Sequence, residues 1–592
     1  MKRYLLTLIF LIATSFVAHN LFAETFSATN SDGVTISYST LTETTCAVSR
    51  GSYSGIVNIP STVKYNNITY TVTKISNYAF YYSENLTSVT IPNTVESIGY
   101  GAFYGCSSLT SLKIPDSVII IADFAFSDCY NLTELTLGKN LQNIGGQAFS
   151  SCYQITSLTL PNSVIHIGAS AFNDWLSLTS VKIPKSVVSI EDNPFERCSR
   201  LESIVVESGN TNYNSANNCN AIIETSTKTL ISGCMNTKIP NTVKAINNHA
   251  FSGCIGLTEV TIPNSVTSIG GWAFLNCSKL TSIRIPKGVS SIGNMAFVGC
   301  RNISSIVVDS ENTVFNSANN CNAIIETSTK TLILGCRSTV IPNTIKAIGS
   351  YAFQDCYGLT SVTIPKSVTS IGNMAFSGCS YLASIVVESG NAKYNSANNC
   401  NAIIETSTNT LIVGCMNTVI PNTVKAIGDN AFRDNYFLEE LKIPNSVTTI
   451  GQYAFYYCLR LKELNIPKSV TSIGNYAISY CADLEKIISN ITDVFETEQM
   501  TFWGNENATL YVPKGLVSTY RSTAGWNQFN RIKEIPKLGD TNEDGNINIS
   551  DVVSLVNRIL SDSKAYYFYD TNDDGTVNIS DVVKLVNTIL GN

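Results

Sequence analysis

The chain has 592 residues, of which 44% are hydrophobic and only 14% are charged, and its formal net charge is −6. The hydrophobic share is enough for a continuous core, and the absence of a basic face argues against a nucleic-acid partner. Length alone suggests roughly three or four globular domains, but internal repeats replace that expectation with one repetitive architecture.

Residues 1–23 have the pattern of a secretory signal peptide. Lys2 and Arg3 supply the positive start, an apolar run continues to Ala18, and Ala23 ends an acceptable cleavage site. The run is shorter than the roughly 18 residues of a membrane-spanning helix, and no comparable run follows. The sequence therefore predicts a protein without a membrane span that is secreted, extracellular or attached to the cell surface through a partner.

A repeat with a 23-residue period fills residues 73–485. Residues 24–72 have strand-like patterning without this repeat, so we predict an N-terminal cap there. The most regular feature of the repeat is an Ala-Phe dipeptide, and Ile478 once replaces the Phe. The aromatic positions are Phe80, Phe103, Phe126, Phe149, Phe172, Phe195, Phe251, Phe274, Phe297, Phe353, Phe376, Phe432 and Phe455.

Each unit cannot bury its own apolar residues, whereas stacked units can. In the unit that ends at residue 277, Val260 and Ile262 alternate with polar neighbours, as in a half-buried strand, and Pro263 ends that strand. Val266 and Ile269 form a second short apolar face. The buried side of a helical or 3₁₀ turn is predicted to comprise Ala273, Phe274 and Cys277.

The consensus Ile-Pro-x-Ser-Val-x-x-Ile-Gly-x-x-Ala-Phe-x-x-Cys resembles the BspA-like leucine-rich-repeat family of bacterial surface proteins, over roughly residues 60–485. The resemblance implies a mainly β solenoid of short strands and short helical turns. It also implies a secreted or surface protein, since some members are adhesins. The family has no ligand motif to carry over, so the solenoid is expected to bind an unidentified protein or glycan.

Three near-identical inserts of 33 residues interrupt the repeat, at about 207–239, 309–341 and 388–420. In the first, Ala221–Glu224 and Thr229–Ser232 flank a Ser-Thr turn and predict a β-hairpin. Each insert is either an enlarged coil that decorates the solenoid or a binding protrusion. Its paired cysteines are expected to face each other, with disulfide formation left open. The pairs are Cys219–Cys234, Cys321–Cys336 and Cys400–Cys415.

Eleven other cysteines fall three residues after the repeat Phe or Ile478. They lie side by side in one column, which does not suit the facing Cβ vectors of a disulfide. Ser83, Trp175 and Asn435 replace Cys in this column. The sequence therefore predicts a buried ladder of free thiols.

No catalytic constellation is apparent in the sequence, so we predict that the protein is not an enzyme. His166 and His249 occupy different repeat positions and have no periodic partner, as general acid-base catalysis would require. Residues 486–536 depart from the repeat and are predicted to form a C-terminal cap.

Residues 537–592 contain two copies of an Asp/Asn-rich loop with Gly at its sixth position. Oxygen ligands at loop positions 1, 3, 5, 7, 9 and 12 suit Ca²⁺. We therefore predict two Ca²⁺ sites, although Asp replaces the usual Glu at position 12. The predicted ligands are Asp540, Asn542, Asp544, Asn546, Asn548 and Asp551, and Asp570, Asn572, Asp574, Thr576, Asn578 and Asp581.

An amphipathic helix is predicted after each loop. Two loop-helix repeats at the C-terminus resemble a type I dockerin, an EF-hand-like module. That resemblance implies calcium-dependent binding to a cohesin domain on a scaffold or surface protein. One hypothesis is therefore a surface-displayed adhesion protein, and another is a non-catalytic, glycan-binding accessory subunit of a cellulosome-like complex for polysaccharide catabolism. An inert spacer is the third hypothesis.

Overall fold

The computed structural model describes residues 24–560, 570–571 and 577–591. The predicted signal peptide lies outside these residues. The chain is a β solenoid, which confirms the predicted fold class. It divides into two compact units, Met1–Asn316 and Ser317–Asn592.

The solenoid starts from an antiparallel sheet. Thr25–Thr29 pairs with Thr35–Thr40, which pairs with Thr45–Val48, and Thr62–Tyr65 pairs antiparallel with Ile68–Ile75. Thr45–Val48 then runs parallel to Ile68–Ile75, so the pairing becomes parallel where the coils begin.

The most continuous sheet in each unit is built from the two-residue Ser-Ile segment, which the sequence predicted only as an apolar face. These strands pair in parallel from one coil to the next, as Ser97–Ile98 does with Ile120–Ile121. Its Ile is mostly buried in every coil. The members are Ser97–Ile98, Ile120–Ile121, Asn143–Ile144, His166–Ile167, Ser189–Ile190, Ala245–Ile246, Ser268–Ile269, Ser291–Ile292, Ala347–Ile348, Ser370–Ile371, Ala426–Ile427, Thr449–Ile450 and Ser472–Ile473.

The segment before the repeat Pro forms a second column, whose ladders are mostly only two strands wide. At Val260 and Ile262 burial alternates as predicted, yet no strand forms, because the backbone there lacks ladder partners. The strands are Gly55–Asn58, Leu86–Thr90, Ser111–Lys113, Glu134–Thr136, Ser180–Ile183, Ser203–Val206, Ser282–Ile285, Ser305–Val308, Ser361–Ile364, Ser384–Val387, Glu463–Ile466, Lys486–Ser489, Thr509–Val512 and Arg531–Glu534.

The Ala-Phe segment forms tight turns rather than the predicted helical turn. Trp272 and Asn276, on either side of Phe274, have φ of 53° and 57°, which interrupts helical hydrogen bonding. The N–H of Phe274 instead donates to Ala296 O of the following coil at 2.7 Å. Phe rings of successive coils stack, and the Phe274 centroid lies 4.9 Å from that of Phe251. The turn column is therefore held by contacts between coils.

Each insert contains the predicted hairpin. In the first, Ala221–Glu224 pairs antiparallel with Thr229–Gly233. The start of the second strand also pairs in parallel with Ala245–Ile246, so the insert supplies a coil of its own to the sheet. This arrangement supports the enlarged-coil interpretation. The other insert strands are Tyr213–Asn214, Phe315–Asn316, Ala323–Glu326, Thr331–Gly335, Tyr394–Asn395, Ala402–Glu405 and Thr410–Gly414.

The insert cysteines lie near each other. The hairpin register places Ala221 opposite Gly233, so Cys219 and Cys234 flank neighbouring positions. Both are buried, and all 18 cysteines of the chain are free thiols in the structure. Each insert also contains a 3₁₀ turn before its first Cys, at Ala216–Asn218, Ala318–Asn320 and Ala397–Asn399.

The C-terminal end contains the α-helices. Helix α1 (Val517–Ser522) and the 3₁₀ turn Trp526–Gln528 pack beside the last strands, where Trp526 is fully buried. Helices α2 (Ile549–Leu560) and α3 (Ile579–Leu590) follow the two Asp/Asn-rich loops. Leu555 and Leu585 are buried and form the small core of this module.

Candidate calcium and docking site

The first Asp/Asn-rich loop is organised by its own carboxylates. Asp540 accepts hydrogen bonds from the N–H groups of Asp544 at 3.0 Å and Gly545 at 2.9 Å. Asp551 accepts from the N–H of Asn542 at 3.1 Å and from that of Asn548 at 2.8 Å. The carboxylates at the first and last positions of the loop thus accept hydrogen bonds from its backbone and stabilise its curved conformation.

The last two predicted ligand positions of each loop, 9 and 12, also cap the start of the following helix. Asn548 accepts from Ser550 N, while Asp551 accepts from Asn548 N. Asn578 and Asp581 form the same capping box at the start of α3. The Asp at position 12 therefore has a structural use that sequence analysis did not foresee.

Thr541 and Thr571, at position 2 of each loop, were missed as functional residues. Thr541 Oγ1 donates to Asp551 O at 2.6 Å, and Thr571 Oγ1 donates to Asp581 O at 2.7 Å. Each threonine thereby ties the first turn of its loop to the following helix. Their identity in both loop copies was the available signal.

The first loop fits a hard cation. Asp540 and Asp551 are buried carboxylates, and no described Lys or Arg side chain forms a salt bridge with either. Burying charge without a counter-ion is costly, so these oxygens suit Ca²⁺. No three His, Cys, Asp or Glu side chains already cluster as a metal set among the described residues, but the expected ligands also include amides and a backbone carbonyl.

The second loop is described only in part. Asp570, Asn578 and Asp581 lie within the described residues, and Asp581 is fully buried like Asp551. The predicted ligands Asn572, Asp574 and Thr576 lie outside them.

Apolar side chains at matching positions of α2 and α3 are exposed. Ile549 and Ile579 are each 67% exposed, and Val553 and Val583 are each 55% exposed. The two helices therefore present nearly the same apolar surface twice. Such exposed apolar groups are typical of an interaction surface.

The first loop also contacts the last strands of the solenoid. Tyr511 OH lies 2.8 Å from both carboxylate oxygens of Glu543, Lys533 Nζ lies 3.0 Å from Oε2, and Lys486 Nζ lies 3.4 Å from Oε1. Burial would raise the pKa of Glu543, but Tyr511 and the two lysines hold it below its usual value. We call these four residues the Glu543 clasp. Glu543 stands at loop position 4, which supplies no calcium ligand.

Each of the two histidines has a carboxylate partner, which is not repeated from coil to coil. His249 Nδ1 lies 2.9 Å from Glu196 Oε1, and His166 lies 3.7 Å from Glu191. Ser252 donates to Glu196 rather than to His249, so the group lacks the order of nucleophile, base and acid. Its geometry is that of an ion pair between coils.

The family comparisons agree with this architecture. The family model described as the BspA type leucine rich repeat region matches residues 73–202, 120–227, 230–333, 334–414 and 411–523. The chain therefore belongs to the BspA-type leucine-rich-repeat family. The dockerin type I domain model matches residues 538–590, so the C-terminal module is a type I dockerin. No curated protein matches the chain.

The chain is also similar to several solved structures. A leucine-rich repeat protein from Bacteroides ovatus is 23% identical, with 84% of this chain and 98% of that chain covered and a TM-score of 0.31. One from Eubacterium ventriosum is 21% identical, with coverages of 80% and 96% and a TM-score of 0.36. The pneumococcal vaccine antigen PcpA is 15% identical, with coverages of 86% and 99% and a TM-score of 0.36.

The two matched family models define the class of protein, which is a leucine-rich-repeat protein with a type I dockerin. Leucine-rich repeats and dockerins are typically non-catalytic, and they are typical of extracellular or surface proteins. Type I dockerins bind calcium, and the module implies a cohesin partner. Among the described residues, no helix has the length and apolar character needed to cross a bilayer.

Proposed function

We propose that this protein is a secreted, non-enzymatic recognition protein whose solenoid binds a macromolecular ligand while its dockerin attaches it to a cohesin. The observation that carries the proposal is the joining of a repeat solenoid to a module with duplicated loops and duplicated exposed helix faces. Because the two faces are so alike, a cohesin is expected to bind in two orientations related by a pseudo-twofold axis.

The proposal includes two Ca²⁺ ions. Asp540, Asn542, Asp544, Asn548 and Asp551 would hold one ion, with the carbonyl of Asn546 at position 7. In the second loop the corresponding ligands are Asp570, Asn572, Asp574, Asn578 and Asp581, with the carbonyl of Thr576. Each bound ion would neutralise its loop carboxylates and so stabilise a module too small for a strong core.

Calorimetry on the full-length protein tests the ion count. Asp544 is exposed and does not cap the helix, so its replacement removes a ligand with little harm to the fold. We expect two Ca²⁺ ions for the wild type, one for Asp544→Ala and none for Asp544→Ala with Asp574→Ala. Full calcium uptake by the double variant would contradict the ligand assignment.

Cohesin capture tests the docking role. Immobilised type I cohesins should retain the wild type with calcium and release it with chelator. The double variant should not bind. If calcium uptake is normal and none of the cohesins retains the protein, the calcium sites stand and the docking role fails.

A glycan-binding accessory role is the second candidate. It is supported by a polar cavity in the second unit, which is lined by the carboxylates of Glu405 and Asp429 and by the guanidinium of Arg433. In this role the dockerin would bring the solenoid to a complex that degrades polysaccharides.

A further inference from the structure

Within an uninterrupted run, three N–H groups of each turn donate to the next coil. They belong to the repeat Phe and to the residues two positions before and after it. In the second unit the bonds are Tyr351 N to Asn373 O at 3.1 Å, Phe353 N to Ala375 O at 2.8 Å and Asp355 N to Ser377 O at 2.9 Å. These bonds close the turn side of the solenoid.

The third insert breaks this pattern. Between the turns of Phe376 and Phe432, only the last bond remains, from Gly378 N to Arg433 O at 3.4 Å. The N–H groups of Met374 and Phe376 have no hydrogen-bond partner among the described residues. The Phe rings also do not stack here, although Phe376 stacks on Phe353 and Phe432 on Phe455. The two turns therefore separate.

A cavity of about 210 Å³ lies in the gap. Met374 and Phe376 line one side, and Asp429, Arg433 and Asn435 line the other. Asn435 is only 6% exposed, and its Oδ1 is buried without a hydrogen-bond partner among the described residues. One water needs roughly 10–15 Å³ of such volume, so the gap has room for a ligand much larger than a single ordered water.

The first unit has the same kind of junction, but there it is filled. Asn193, which corresponds to Met374, donates from Nδ2 to His249 O at 2.8 Å and to Ala250 O at 3.4 Å. Its Oδ1 accepts from Phe195 N at 3.0 Å, the N–H that corresponds to the unpaired one of Phe376. The side chain of Asn193 thus satisfies backbone N–H and carbonyl groups that the interrupted hydrogen-bond pattern leaves unpaired. The fold therefore does not require an open cavity at such a junction.

The charges around the cavity favour a neutral ligand with many hydroxyls. Glu405, Asp429 and Arg433 line it, but Glu405 is paired with Lys393 Nζ at 2.9 Å, and Arg433 Nε is paired with Asp434 Oδ2 at 3.2 Å. These ion pairs neutralise Glu405 and Arg433, so Asp429 disfavours an anion, whereas the unpaired N–H groups of Met374 and Phe376 disfavour a cation. Sugar hydroxyls both donate and accept, and therefore match this mixture of groups. We infer that the cavity between Phe376 and Phe432 binds one sugar ring of a glycan; this inference rests on the recognition role proposed for the solenoid.

The test introduces into the open junction the Asn-Pro pair that fills the junction of the first unit, and we call this pair the plug. Met374→Asn with Ala375→Pro copies Asn193-Pro194 into the open junction, and Tyr351→Asn, at the corresponding position of the preceding coil and outside the cavity, is the control. Calorimetry and saturation-transfer NMR on the full-length protein would use D-glucose, D-galactose, D-mannose and N-acetyl-D-glucosamine, with inorganic phosphate as the anionic probe. One sugar should saturate a single site, and the plug should weaken its binding at least tenfold, with less than a twofold change for the control.

Asn435→Cys is a second variant, because it restores the usual residue of the column and removes the unpaired amide. It should also weaken binding, which keeps the test decisive if the plugged protein fails to fold. The inference is overturned if no sugar binds the wild type, if phosphate binds more tightly, or if both folded variants bind sugar as the wild type does. Cohesin capture by the same proteins reports on docking separately. A glycan array that still binds the plugged variant would preserve the recognition role and remove this cavity from it.

Discussion

At the scale of single residues, the repeat cysteine within an uninterrupted run acts as a hydrogen-bond donor to the Phe carbonyl of the preceding coil. Cys106 Sγ lies 3.2 Å from Phe80 O, and Cys277 Sγ lies 3.2 Å from Phe251 O. Where Trp175 replaces Cys, its Nε1 donates to Phe149 O at 2.7 Å. The sequence predicted the thiol column, whereas the carbonyl that each donor satisfies is seen only in the structure. This explains why a large indole is accepted at the position.

Phe274→Ala should destabilise its unit by about 3–5 kcal/mol, as truncation of a buried Phe does. The ring is fully buried and stacks on Phe251 and Phe297 at 4.9 and 5.2 Å. Phe274→Leu is the control and should cost less than about 1.5 kcal/mol, because Ile478 occupies the same column naturally. Thermal unfolding of both variants measures the difference. An unchanged melting curve for Phe274→Ala would contradict the buried column.

The His249–Glu196 pair should make stability depend on pH. The hydrogen bond that His249 donates to Glu196 raises the pKa of His249 above 6.5. Burial would raise the pKa of Glu196, but bonds from His249, Ser252 and Ser170 hold it below 4.5. The histidine contribution is complete below pH 6.5 and is lost as pH rises through its higher folded value. The glutamate contribution is complete above pH 4.5 and is lost on acidification.

We therefore expect His249→Gln to lower stability most between about pH 4.5 and 6.5, by up to about 1 kcal/mol. Melting temperatures of wild type and variant across pH 3–9, an experimental range of roughly six units around these values, measure the effect. A difference that grows above pH 8 would exclude this explanation.

At the scale of elements, the sequence predicted most of the features that recur with the repeat. It predicted few of the contacts that join residues far apart in the chain. The 23-residue period and the hairpins follow from local patterns. The sequence predicted the strand at Val260 and Ile262 and not at Ser268–Ile269, because a strand of two residues is too short to show an alternating pattern. Ser268–Ile269 nevertheless pairs in parallel with the strands of the preceding and following coils. The His249 partner lies across an insert, beyond any periodic signal. The Asp/Asn-rich loops were recognisable because all the predicted ligands of each loop fall within one short segment of the sequence.

The thiol column should be chemically inert in the folded protein. Burial raises the pKa of Cys106 and of Cys481 to about 12, so their reactive thiolate forms are scarce at neutral pH. A thiol-specific reagent should label these cysteines only after denaturant is added. Mass spectrometry of labelled peptides distinguishes them from the insert pairs, whose oxidation state it also reports. Rapid labelling of Cys106 under native conditions would be inconsistent with a buried column.

At the scale of the whole molecule, the Glu543 clasp connects the dockerin to the last strands of the solenoid. Glu543→Ala should loosen this connection, because Lys486 and Lys533 lose their shared carboxylate. Hydrogen exchange in residues 537–545 should increase, whereas the calcium count should stay the same because position 4 is not a ligand.

Asp573 stands at the same position of the second loop in the sequence, so Asp573→Ala is the matched control. It should leave exchange in residues 537–545 unchanged. Equal exchange in the wild type and in Glu543→Ala would show that the clasp does not restrain the module.

The matching joints of the three inserts have a consequence for the evolution of the gene. The second hairpin strand of each insert pairs in parallel, in the same register, with the Ala-Ile strand of the coil that follows, so one insert can replace another without altering the joint. The gene segments that encode the matching runs beginning at residues 214, 316 and 395 are therefore ready sites for unequal crossing-over. An exchange between two of them would remove or add whole coils and leave every remaining joint intact. The length of the molecule can thus change in single genetic steps that folding tolerates.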